Sequence, residues 1–122
     1  MYEIYVETNF SAAHWLKNYR GKCEKLHGHN WKVGVSVWRS GLNSQDMVID
    51  FVELKNILNK VISKLDHKCI NSLPYFRKKQ TTAENIAQFI HLNLTKLLQK
   101  YKLEKIKVIV WETPIQYASY ER

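Results

Sequence analysis

Between Cys23 and His29 the chain reads CEKLHGH, one thiol and two imidazoles, and a third imidazole, His14, closes the run FSAAH upstream. Thiolate and neutral imidazole are the donors a zinc ion prefers. Two arrangements of these four residues would do different chemistry. Cys23 with His14, His27 and His29 would close a structural site. Three histidines alone would leave one coordination position open and the cysteine free to react as a base. Because H-x-H is also common away from metals, spacing alone leaves three unconnected histidines open as well.

Two further sets of residues carry titratable chemistry. Asp66 and His67 are adjacent at the end of an amphipathic segment. A histidine beside a carboxylate is suited to passing a proton, although a histidine at a helix end also serves simply to satisfy free carbonyls. Glu112 shares its parity with Ile106, Val108 and Val110. A carboxylate on an apolar face is costly unless donors meet it, and a ligand offering two adjacent N–H groups would do so. The strand could instead end at Trp111 and turn Glu112 to solvent. Cys69, His91, Trp31, Trp38 and Trp111 read as packing residues.

Whether the donors converge depends on the elements that carry them. Residues 2–10 alternate, with Tyr2, Ile4, Val6 and Phe10 on one side, as in a half-buried strand. A second strand is expected over 29–39, with Trp31, Val33, Val35 and Val37 inward. Extended back through Gly28, it places His27 and His29 on one face, since alternate side chains share a face. Antiparallel pairing across a loop from Leu16 to Leu26 would set His14 beside them.

Asp50, with Glu53 three residues on, predicts a capped helix whose stripe runs Phe51, Leu54, Ile57, Leu58, Val61, Ile62 and Leu65. After Pro74, Thr81 with Glu84 predicts a second capped start, followed by Ile86, Phe89, Ile90, Leu94, Leu97 and Leu98. Strands over 105–112 and 115–121, joined at Thr113-Pro114, complete the order ββααββ. That order predicts an α+β fold: an antiparallel four-stranded sheet with two helices on one face, in a single domain over residues 1–122.

Composition bounds the function classes. The chain has 122 residues, 45% hydrophobic and 25% charged, enough for one core. No stretch is long and apolar enough to span a bilayer, and MYEIYVET lacks the pattern of a secretory signal. A cytoplasmic protein is expected, with no membrane partner. Two cysteines do not make a disulfide framework. A net charge of +8 fits a solvated surface, a nucleic-acid footprint or an anionic small molecule, and its cations are scattered along the chain.

Taken together, FSAAH, C-x-x-x-H-G-H, VIDFVELK, LDHKCIN, and TTAEN with VWET resemble, in order and over nearly the whole chain, the 6-pyruvoyltetrahydropterin synthase / 6-carboxytetrahydropterin synthase family. The pattern around LDHKCINSLPYF looks closest to the 6-carboxytetrahydropterin synthase branch, a lyase of queuosine (7-deazaguanine) biosynthesis. The resemblance implies Zn²⁺ on His14, His27 and His29, and a proton-transfer triad of Cys23, Asp66 and His67. It makes Glu112 the anchor of the pterin 2-amino and ring N–H groups, with Thr82 and Glu84 in the segment lining the pterin pocket. It implies 7,8-dihydroneopterin triphosphate as substrate, the runner-up activity being 6-pyruvoyltetrahydropterin synthesis from the same substrate. Cys23 argues against the folate-linked relatives, which carry glutamate there.

The implied architecture is the tunnelling fold, in which sheets of three subunits close a barrel, two trimers stack into a hexamer, and active sites lie between subunits. Two positions depart from the pattern: Trp15 stands where arginine often follows the histidine, and Gln80 where proline often precedes the pocket threonine. A basic zinc-dependent nucleic-acid-binding module is the remote alternative. It would want a closed four-ligand site and a dense basic face.

Overall fold

The computed structural model describes all 122 residues. Strand β1 covers Tyr2–His14 and strand β2 covers His27–Arg39, each longer toward the expected site than alternation alone predicts. They pair antiparallel with Phe10 opposite Trp31 and His14 opposite His27. Even positions of β1 (Val6, Phe10, Ala12) and odd positions of β2 (Trp31, Val33, Val35, Val37) are buried on the same face. Strands β4, Lys105–Thr113, and β5, Gln116–Glu121, extend the sheet beyond β2.

The expected four strands gain a fifth. Residues Lys68–Cys69 form β3, which pairs parallel with Ala12 and Ala13, so the order is β3-β1-β2-β4-β5 and the sheet is not wholly antiparallel. Two residues have no alternation to read, which is why β3 escapes sequence analysis.

Helix α1, Phe51–Ile62, begins at Asp50, whose carboxylate accepts from the backbone N–H of Val52 and Glu53. This is the expected cap, but the helix stops three residues before Leu65. Phe51, placed in its buried stripe by periodicity, is exposed. Helix α2, Ala83–Leu98, begins at Thr82 and not at Thr81: the Thr82 hydroxyl accepts from Asn85 N–H, and Glu84 makes no cap bond. Thr81 is buried and its hydroxyl donates to the Trp15 carbonyl, so it is unavailable as a cap. Leu97, also counted in the stripe, is exposed.

Both helices lie on the one apolar face, enclosing a single cluster with Trp31, Leu54, Leu58, Ile86 and Ile90 fully buried. Each such side chain contributes about 1.5–3 kcal/mol through burial. The structure therefore keeps the α+β class and the two helices on one face.

His91, on α2, is buried and donates from Nε2 to the Ile106 carbonyl at 3.1 Å. Burial holds its pKa below the usual value, favouring the neutral ring. The unfolded chain takes up a proton near pH 6.5 while the folded chain does not, so stability must fall as pH drops below about 6.5. The slope contributed is at most about 1.4 kcal/mol per pH unit. Thermal melts of parent and His91→Gln between pH 7.5 and 5.5 should show a smaller acid loss in the variant.

Candidate metal centre and its surroundings

The last residue of β1 and the first of β2 face each other, and this pairing assembles the centre. His14 and His27 are register partners, and His29 lies opposite Ala12 on the same helix-facing side. The three imidazoles surround one point: their donor atoms all lie within 4.8 Å of one another. Trp31 forms the floor, meeting His14 and His29 edge-on at 5.0 and 5.1 Å between ring centroids.

Hydrogen bonding sets the tautomers. His14 Nδ1 lies 2.8 Å from the Thr81 carbonyl, and His27 Nδ1 lies 2.8 Å from the Lys25 carbonyl. A carbonyl only accepts, so each Nδ1 carries a proton, and it is Nε2 that is left to meet a metal ion. His14 Nε2 and His29 Nε2 are buried with no hydrogen-bond partner. Burial, reinforced by the neighbouring His27 and His29, holds the His14 pKa down, the Thr81 carbonyl opposing. A neutral imidazole with an unpartnered Nε2 lone pair is the form a cation requires, His14 presents it, and leaving two buried ring nitrogens without partners is costly. The donor set therefore fits a metal ion.

Glu112 reaches the same place from β4. It is half-buried beside a register shift between Trp111 and Thr113, with Oε1 3.4 Å from His29 Nε2. No hydrogen bond joins the two atoms. Its other surroundings are a cleft of about 190 Å³ with Ala83, Glu84, Gln116, Tyr117 and Ala118. Glu84 thus meets Glu112 across a space, while the Thr82 hydroxyl is taken by the helix cap.

Asp66 and His67 form their own unit after α1. His67 Nδ1 lies 2.9 Å from Asp66 Oδ1, and the Ser11 N–H donates to the same oxygen at 3.0 Å. Ser11 N–H first, and His67 second among the partners that favour ionisation, hold the Asp66 carboxyl below the usual carboxylate range. His67 adopts a left-handed backbone (φ 58°), which lets its N–H bond the Ser11 carbonyl and docks the pair on β1. Its side chain is 82% exposed. It opens on a groove shared with Gly28, His29 and Asn30.

Cys23 is exposed and lies outside the cluster of donor atoms. One chain therefore joins three histidines and Glu112, joins Asp66 to His67, and leaves Cys23 separate. Thr81, expected from the sequence only as a helix cap, orients His14 through its carbonyl, a role its residue type does not announce. Its only visible sign is a second threonine in front of the true cap.

Comparison with known proteins gives a consistent result. Residues 3–122 match the family model for 6-pyruvoyl tetrahydropterin synthase. The chain is similar to the 6-carboxy-5,6,7,8-tetrahydropterin synthase of Haemophilus influenzae, at 34% identity covering 99% of each chain. It is also similar to human 6-pyruvoyl tetrahydrobiopterin synthase, at 37% identity covering 82% of this chain and 79% of the relative. Among solved structures, a Plasmodium falciparum 6-pyruvoyl tetrahydropterin synthase superposes with a TM-score of 0.83 at 29% identity, covering 99% of this chain and 97% of its own.

Proposed function

Because the chain belongs to the 6-pyruvoyl tetrahydropterin synthase family, we propose that it converts 7,8-dihydroneopterin triphosphate and water to 6-carboxy-5,6,7,8-tetrahydropterin, acetaldehyde and triphosphate, in queuosine biosynthesis. The observation that carries this reading is the convergence of three inward-facing imidazoles, two with buried unpartnered Nε2 atoms, beside a half-buried carboxylate. Full-length similarity to the Haemophilus influenzae enzyme supports the 6-carboxy product.

His14, His27 and His29 would hold Zn²⁺, which when bound supplies Lewis-acid polarisation of the substrate's side-chain oxygens. Glu112 accepts from the pterin 2-amino and ring N–H groups, and Thr82 and Glu84 line the cleft at its side. Cys23, as thiolate, removes a proton from the substrate side chain. His67, oriented by Asp66, delivers a proton at the opposite face. Oxidation of the side chain balances reduction of the ring, so no redox cofactor is required. The exposed cations Arg20, Lys22 and Lys25 supply positive charge for the triphosphate.

The catalytic groups meet between subunits. An exposed His67, a separate Cys23 and the open outer edge of β5 all suit a chain completed by copies of itself, arranged as a hexamer of two trimers. Residues 1–122 act as one domain in the cytoplasm, where Cys23 and Cys69 remain thiols. No helix is long and apolar enough to cross a membrane. A three-histidine centre without Cys23 is unlike a closed nucleic-acid module, and no nucleic-acid partner is proposed.

Zinc-loaded protein incubated with 7,8-dihydroneopterin triphosphate should release acetaldehyde, with the mass of the 6-carboxy product. A 6-pyruvoyl product would assign the chain to the activity named for the human relative. Unchanged substrate would defeat both assignments.

A further inference from the structure

Gln80 and Thr81 are consecutive, and they hold two different parts of the site. Thr81 fixes His14 through its carbonyl. Gln80 holds the loop that carries Cys23: Lys17 N–H donates to Gln80 Oε1 at 2.8 Å, and Gln80 Nε2 donates to the Lys17 carbonyl. One side-chain amide thus satisfies both backbone groups of one residue, as a neighbouring strand would.

The tie runs on to the cysteine. Leu16, next to Lys17, donates from its N–H to Glu24 Oε1 and accepts at its carbonyl from the Glu24 N–H, and Glu24 adjoins Cys23. A second amide, buried Asn71, makes the same two-way pairing with Trp15. Residues 15–17 are therefore held at both ends by side-chain amides, with the Cys23 side of the loop fastened to the middle. The anchor is itself secured, since Asn85 Nδ2, in the first turn of α2, donates to the Gln80 carbonyl at 2.9 Å. The loop is held further by the Lys17 ammonium, which donates to the Phe76 and Arg77 carbonyls, and by a turn in which Lys22 N–H donates to the Tyr19 carbonyl. Asn18, Arg20 and Gly21 take left-handed backbones, and the residues around Cys23 are exposed.

We propose that Gln80 is a positioning residue that sets the Cys23 loop relative to the metal centre. The role of Cys23 rests on the function proposed above, whereas the clamp itself does not.

The test compares parent, Gln80→Met and Gln80→Glu by turnover of 7,8-dihydroneopterin triphosphate, bound zinc and amide hydrogen exchange. Methionine keeps the length and bulk of glutamine without its polar atoms. Gln80→Met should lose exchange protection at Lys17 and lower kcat about tenfold or more, since small misplacements of a reacting group are costly. KM should stay within about threefold and zinc content should not change, because the side chain is committed to the Lys17 backbone and lies outside the metal donors. Gln80→Glu keeps the acceptor for the Lys17 N–H, so it should retain that protection and an intermediate kcat. Parent-level kcat in Gln80→Met overturns the proposal. So does a loss explained by missing zinc or by faster exchange throughout β1 and β2. A parent that leaves the substrate unchanged refutes the proposed function. In that case equal exchange at Lys17 in parent and variant overturns the clamp as well.

Discussion

Replacing Cys23, the general base of the proposed reaction, with alanine is expected to lower turnover by about 10²–10⁴-fold while one metal ion per chain remains bound. The expectation follows from where the sulfur lies. The donor cluster consists of His14, His27 and His29, and Cys23 is an exposed residue outside it. An exposed side chain with no packing role changes stability by no more than about 0.5 kcal/mol when shortened, so the variant should melt with its parent. Metal analysis by mass spectrometry, run beside the turnover assay, separates the two arrangements that CEKLHGH leaves open. Loss of metal together with the thiol would restore the closed Cys-His₃ site and remove the base from the reaction.

The parts of this molecule that were legible are those governed by a period. Strand alternation put His27 and His29 on the face of Trp31, and pairing around a loop put His14 opposite them, as the structure has it. The same period drew attention to Glu112, which does turn toward His29. Features without a period stayed hidden. The two-residue strand Lys68–Cys69 exists because the Asp66 carboxylate and the His67 N–H dock on Ser11, a tertiary event with no local signature. Thr81 and Thr82 are indistinguishable by type, and only burial against Trp15 and His14 decides which one caps α2. The amides of Asn71 and Gln80 work by replacing a missing strand, which their residue types allow but do not announce.

His29→Ala should cost at least about 100-fold in metal affinity, since losing even a residue that merely orients a ligand costs 10–100-fold, and turnover should vanish with the metal. The stability of the metal-free protein makes this more than a loss-of-function test. In the parent without metal, His29 Nε2 is buried and unpartnered, a burden of about 1–3 kcal/mol for such a group. Alanine removes that burden along with the ring's packing against Trp31. The metal-free variant should therefore unfold within about 1 kcal/mol of the metal-free parent. Added zinc separates them: at a hundred times the parent's Kd it stabilises the parent by about 2.7 kcal/mol and leaves the variant nearly unchanged. A histidine that served only as packing would give the reverse pattern, a metal-free variant that melts early and still responds to zinc. Melting curves with and without zinc on the two proteins decide between a ligand and a core residue without reference to any substrate.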